Sequence, residues 1–150
     1  MCGINGIVNF FETPSRERVD RMCTLMPHRG PDFSGIHAQG PFALGHRRLS
    51  ILDLSEKGNQ PMIDNNLGIT IVFNGEIYNY QELRDNLRAS GYSFVTNTDT
   101  EVLVKGFEHW GIEKLCQKLT GMFAFALWSE KEQALFLARD RFGEKPLYYT

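Results

Sequence analysis

Apolar positions along this chain change their spacing from one segment to the next, and each spacing predicts an element. Residues 3–11 place Ile4, Ile7, Val8 and Phe10 among small residues, the pattern of a buried strand with close neighbours. Behind Ser15, a good N-cap, Val19, Met22, Cys23 and Met26 recur at i, i+3, i+4 and i+7. That is an amphipathic helix, stopped by Pro27, with Cys23 on its core stripe. Residues 33–39 and 42–46 flank Gly40-Pro41 and predict a hairpin. Residues 69–73 form a short strand rich in β-branched side chains. Asn79 as N-cap with Glu82 at N3 opens a helix that Leu83 and Leu87 continue to Gly91. A second capping box, Thr98 with Glu101, opens a helix through Leu103, Phe107 and Trp110 to Gly111. Ile112, Leu115 and Leu119 predict a shorter helix carrying Cys116. Residues 121–128 and 134–139 predict a second hairpin, and residues 146–150 read as a further strand. In 121–128, Phe123, Phe125 and Leu127 lie on one face and Met122, Ala124, Ala126 and Trp128 on the other. A sheet apolar on both faces is covered on both sides. Strand runs separated by helices therefore predict a layered α+β domain with helices outside.

Composition narrows the classes. The chain has 150 residues, 42% hydrophobic and 12% aromatic, enough for one domain with a real core. A net charge of -2 and a pI near 6.1 give no basic footprint for nucleic acid or an anionic membrane. No basic n-region with a following apolar run marks a signal peptide, and no stretch reaches membrane-span length. Cys2, Cys23 and Cys116 are odd in number and widely spaced. They fit neither a disulfide framework nor a zinc site, and they suit a reducing cytoplasm. There is no internal repeat, low-complexity segment or glycine-rich phosphate loop.

Candidate chemistry begins at Cys2, directly behind the initiator methionine. Trimming of Met1 would give one residue both a thiol, a strong nucleophile as thiolate, and a free α-amine. An α-amine titrates near ~7.7–8.0, where a general base is effective. The local alternative is a small residue that starts a strand. His28-Arg29-Gly30-Pro31-Asp32 reads on its own as a polar surface bend. His46-Arg47-Arg48-Leu49-Ser50 stands at a strand end, where an arginine can hold a carboxylate with a bidentate fork or belong to a solvated basic pair. Residues 53–60 are polar with a glycine and read as a mobile loop over a site. Asn74-Gly75 is a hairpin turn signal, but a helix follows it rather than a second strand. It is therefore placed at a strand-to-helix junction, where a backbone N–H and a side-chain amide can meet an oxyanion; locally, turn and oxyanion readings both stay open. Asp99, at N1 of its helix, is favoured there by the helix dipole whatever its chemistry.

Together the motifs Met-Cys-Gly-Ile, His-Arg-Gly-Pro-Asp, Arg-Arg-Leu-Ser-Ile, Phe-Asn-Gly-Glu-Ile-Tyr-Asn, Thr-Asp-Thr-Glu and Gly-Met-Phe-Ala-Phe-Ala-Leu-Trp resemble the glutaminase domain of glutamine-hydrolysing asparagine synthetases. More broadly they resemble class II glutamine amidotransferases, which are N-terminal-nucleophile hydrolases. The resemblance runs the length of the chain with its motifs in order. It implies a four-layer αββα sandwich of two mainly antiparallel sheets. It also implies that Cys2 is the nucleophile with its own α-amine as base, and that Asn74 and Gly75 hold the oxyanion. Arg48 would meet the glutamine α-carboxylate beside Ile51 and Leu52, and Glu76 and Asp99 would receive the α-ammonium. Arg47 is the neighbouring alternative to Arg48, which is chosen because the family motif has arginine directly before Leu-Ser-Ile.

The resemblance implies no metal and no cofactor for glutamine hydrolysis. It implies ATP and Mg only in a C-terminal synthetase domain, which would be the chain's partner and would aminate aspartate. That domain is expected to be missing here, with 1–150 a glutaminase domain incomplete at its C-terminus, and the full-length protein to be open to homodimer formation. Two other readings stand beside this one. A sister amidotransferase would aminate another acceptor, and a non-catalytic interaction module would keep the fold without turnover.

Overall fold

The computed structural model describes residues 1–150. Two antiparallel sheets face one another, with a helical layer on each outer side. The first has strand order β1-β3-β2, from β1 (Gly3–Val8), β2 (Phe33–Gln39) and β3 (Phe42–Arg48). The second has order β4-β5-β6-β7, from β4 (Met62–Asp64), β5 (Ile69–Ile77), β6 (Gly121–Ser129) and β7 (Ala134–Arg139). Helix α1 (Arg16–Thr24) covers the first sheet, and α2 (Tyr80–Ala89) and α3 (Asp99–Lys118) cover the second. The four-layer αββα architecture expected from the resemblance is the one observed.

Strand alternation builds the layers. Ile69, Ile71, Phe73 and Ile77 of β5 join Phe123, Phe125 and Leu127 of β6 in a core shared with Leu83 and Leu87 of α2 and Val102, Leu103 and Phe107 of α3. On the opposite face Val72, Ala126 and Trp128 pack against Phe42 and Leu44 of the first sheet. Across β3, Gly45 faces α1 so closely that a Cβ would lie 2.7 Å from Val19 Cγ1 and 2.8 Å from Cys23 Sγ. Cys23 is fully buried, as its place on the helical stripe predicts.

Several boundaries differ from the sequence expectation. β1 ends at Val8, and Phe11 is fully exposed, because the chain turns at Asn9, whose Oδ1 accepts from Phe11 N. Asn79 is the N-cap of α2 by position, but its side chain bonds Lys118 O (2.9 Å) and Thr120 N (3.0 Å) at the far end of α3. Assigned as one helix, α3 breaks at Gly111 (φ 73°), so two helical segments meet where they were expected. β4 had no sequence signal of its own. Residues 146–150 are not a strand, and Tyr148 and Tyr149 stand in solvent.

Candidate active site

The register of the first sheet carries the chain's start to the end of β3. Gly3 pairs with Arg47 and Ile4 with His46, so the register carries Cys2 to Arg48, next to Leu49. There Leu49 N donates to Cys2 Sγ at 3.4 Å, and the thiol lies 3.7 Å from Leu49 O. Arg29 Nε donates to Cys2 O at 3.3 Å. The 28–32 turn is thus more than a surface bend. A Cβ at Gly30 would lie 2.4 Å from the Arg47 carbonyl, Asp32 N donates to Arg48 O (3.0 Å), and Asp32 Oδ2 accepts from Ser50 N (2.7 Å). One turn therefore fixes both the cysteine backbone and the segment that touches its sulfur.

Asn74 and Gly75 lie within β5, not at a strand-to-helix junction, because pairing with β6 continues to Ile77↔Gly121. Asn74 follows Val72 by alternation onto the face toward the first sheet. Gly75 stands opposite Phe123, which spends its own N–H and C=O on Asp140: Phe123 N donates to Oδ2 at 3.1 Å, and Asp140 N donates to Phe123 O at 2.7 Å. In an antiparallel ladder a pair that exchanges no hydrogen bonds turns its amides outward, so the Gly75 N–H points to the free edge of β5. The two same-edge amides beside it are taken by side chains: Phe73 N donates to Gln60 Oε1 (2.6 Å) and Ile77 N to Asp99 Oδ2 (3.0 Å). Gly75 has to be glycine, since a Cβ there would sit 2.2 Å from Met122 O.

Asp99 opens α3 and is only 5% exposed. Burial is the main force raising its carboxyl to about 6, opposed by the Ile77 amide and assisted by the nearby Glu76 charge. The segment before it is held from two sides. Glu101 accepts from Val95 N (2.9 Å) and Thr96 N (2.7 Å), while Arg84 donates to Thr96 O and Thr98 O (both 2.7 Å). Only half of the expected capping box forms. Thr98 Oγ1 accepts from Glu101 N, but the Glu101 carboxylate serves residues 95 and 96 instead of its own cap.

Arg48 lines the site with its fork already engaged. Nη1 donates to Ser55 O (2.9 Å) and Asn59 Oδ1 (2.8 Å), and Nη2 to Leu52 O (3.4 Å) and to Asp53 O. These bonds hold the 52–59 loop, which also contains a 3-10 turn at Glu56–Gly58 and is tied to Asn97 N through Asp53 Oδ2 (3.0 Å). The loop lies over the site as expected, but these bonds anchor it where a mobile loop was expected.

All eight residues singled out from sequence (Cys2, Arg48, Ile51, Leu52, Asn74, Gly75, Glu76 and Asp99) line one cavity between the sheets. Gln60, Thr100, Met122 and Lys145 line it too and were not singled out. Thr100 sits in the helix start read from sequence and Gln60 at the end of the loop expected over the site, whereas pairing of β5 with β6 brings Met122 opposite Glu76. Lys145 is 5% exposed, with Nζ 2.9 Å from Met122 Sδ. His46 is buried behind the site with Nε2 3.1 Å from Phe73 O, and burial lowers its pKa to about 4, so it is a neutral spacer at ordinary pH. No group of three or more His, Cys, Asp or Glu side chains is arranged to hold a metal ion, and no helix is long and apolar enough to cross a membrane.

Comparison with known proteins places this geometry. The family described as "Glutamine amidotransferase domain" matches residues 1–150. The chain is 46% identical over 154 residues to asparagine synthetase [glutamine-hydrolyzing] 1 of Bacillus subtilis, covering all of this chain and 24% of that protein. It is 41% identical over 167 residues to a putative asparagine synthetase [glutamine-hydrolyzing] 2 of Methanocaldococcus jannaschii, covering 99% of this chain and 32% of that one. The chain thus spans about a quarter to a third of the length of these relatives. Among solved structures, the glutamine phosphoribosylpyrophosphate amidotransferase of B. subtilis superposes with a TM-score of 0.76 at 22% identity, over 91% of this chain and 37% of that one, a likeness of fold. With its whole length matched, this chain belongs to the glutamine amidotransferase domain family.

Proposed function

We propose that this chain hydrolyses the side-chain amide of L-glutamine through a thioester on Cys2, once Met1 has been removed. The observation that carries the reading is the convergence on one cavity of a thiol, an outward-facing edge amide and two carboxylates. In this reading the freed Cys2 α-amine takes the thiol proton, and the thiolate attacks the amide carbon of glutamine. The oxyanion meets the Asn74 side-chain amide and the Gly75 N–H. Collapse expels ammonia, its nitrogen receiving the proton from the amine. Water, deprotonated by the same amine, then attacks the thioester, giving glutamate and the free thiol. A zwitterionic substrate needs charges of both signs. Glu76 and Asp99 receive its α-ammonium. Arg48 serves the α-carboxylate electrostatically and by holding residues 51 and 52 in place.

No step of this hydrolysis calls for a metal or cofactor. We place the ammonia acceptor in a C-terminal synthetase domain, a reading supported by relatives named as glutamine-hydrolysing asparagine synthetases; aspartate as that acceptor, with ATP and Mg, is part of the same proposal. Three free cysteines suit a reducing compartment such as the cytoplasm. A glutamate-release assay on matched samples with and without Met1, each checked by intact mass, tests the reading. While Met1 remains, the Cys2 nitrogen is an amide and cannot act as base, so the unprocessed chain should turn over at least about 100-fold more slowly. Equal turnover would remove the α-amine from the mechanism, and no glutamate release from the processed chain would overturn the function.

A further inference from the structure

The short β4 leaves most of the β5 edge without a partner strand. β4 pairs only with residues 69–71, so the outward amides of Phe73, Gly75 and Ile77 lie beyond it. We propose that Gln60 is a positioning residue of the site: its side chain replaces the absent strand at Phe73 and ties the strand bearing Asn74 to the helix bearing Asp99. The inference rests on the glutamine-hydrolysing reading above.

Four observations carry it. Gln60 Oε1 accepts from Phe73 N at 2.6 Å, and Phe73 is joined directly to Asn74. Gln60 Nε2 donates to Thr100 Oγ1 at 3.3 Å, and Thr100 directly follows Asp99. One amide thus spans both sides of the site, and it is only 6% exposed while lining the same cavity. Its backbone has little freedom to follow either side, because the Gln60 carbonyl lies against Gly35 of β2, where a Cβ would approach it to 2.1 Å. Gln60 is therefore a fixed strut rather than an adaptable filler.

The strut also acts by exclusion. With Phe73 N–H taken by Gln60 and Ile77 N–H by Asp99, the edge offers its Gly75 amide between two closed positions. An oxyanion binding at this edge then has one register available. Without Gln60, the Phe73 amide would compete as a donor two residues away, and the distance from Asn74 to Asp99 would keep only the Ile77–Asp99 bond as a constraint.

A double-mutant cycle in the full chain, with Met1 removed, separates positioning from general support of the fold. Gln60→Met keeps length and removes both bonds. It should lower kcat and raise KM for glutamine, each by roughly tenfold. In an Asn74→Ala background the kcat effect should shrink below about twofold, and in an Asp99→Asn background the KM effect should do the same, because coupled residues are not additive. Equal effects in every background, or none in the parent, would overturn the inference. Should Gln60→Met fail to fold, Thr100→Val removes one end of the strut and should raise KM several-fold more than it lowers kcat; an equal change in both would overturn it. Amide hydrogen exchange gives a readout independent of turnover. Phe73 should exchange faster in Gln60→Met while Ile77 keeps its protection, and unchanged Phe73 exchange would overturn the strut. Absence of glutamate release from the parent chain would instead sink the function and leave the exchange result to decide the bridge.

Discussion

The Asp99 carboxylate terminates a strand from another element: its Oδ2 accepts the Ile77 amide at 3.0 Å, at the same edge of β5 where Gly75 points its N–H. That bond holds an acid in a buried site at the first turn of α3, where the helix dipole also favours negative charge.

Asp99 and His46 oppose one another in the pH dependence of stability. Burial raises Asp99 from 3.8 to about 6, so its contribution is full below about pH 4 and is lost as pH rises through 6, a change of roughly 3 kcal/mol. Burial lowers His46 from 6.5 to about 4, so its contribution is present above 6.5 and lost as pH falls through 4, a change of similar size. In the wild type the two nearly cancel between pH 4 and 6.5. Asp99→Asn should therefore give a melting temperature that climbs with pH across this window, and His46→Gln one that falls. Two mutant profiles parallel to the wild type would show that neither group is shifted.

Ionisation of Asp99 also bears on substrate. If it receives the glutamine α-ammonium, KM should fall as pH rises through about 6. Asp99→Asn should raise KM and abolish that limb of the profile. A limb that survives the substitution would assign it to another group.

Asn74→Ala should lower kcat by roughly 10²–10³-fold with a smaller change in KM, the cost of removing one oxyanion donor. The fold should be spared, because Asn74 faces the cavity rather than the helix-side core. A kcat within twofold of wild type would remove Asn74 from the oxyanion site.

Arg48→Met should release the 52–59 loop, since four of that loop's acceptors depend on one guanidinium. We expect faster proteolytic nicking at residues 53–58 together with a raised KM for glutamine. A raised KM with an unchanged nicking rate would mean that Arg48 acts on substrate alone.

Gly75→Ala should be a stability defect before it is a catalytic one. The new methyl would lie 2.2 Å from Met122 O, backbone that cannot swing aside, and such overpacking typically costs about 1–3 kcal/mol. Chemical denaturation of Gly75→Ala beside Asn74→Ala makes the contrast. Equal midpoints in the two variants would contradict the close approach of β5 and β6.

The amino-acid sequence by itself determined most of the elements and their order, apart from β4 and a strand expected at 146–150 that does not form. Helical periodicity at Val19 and Cys23, the double apolar alternation of residues 121–128, and glycine at 111 each encode a local geometry that survives packing. The motifs also carried the eight candidate residues, from Cys2 to Asp99, through the family resemblance, since Gly75, Ile51 and Leu52 have no side-chain chemistry of their own to read. Tertiary structure alone decided how they meet. Asn-Gly is a turn signal wherever the local chain is free, yet pairing with β6 keeps it extended and aims the Gly75 amide at the cavity. Asn79 and Glu101 carry the chemistry of caps and spend it on other segments, since a side chain takes whichever partner the fold brings within reach. Arg48 looks like a carboxylate fork in sequence and holds a loop in space. Gln60 was legible only as the end of a polar loop over the site. Its role depends on an edge left open by a short strand, and unpaired backbone amides come into being only when a sheet assembles.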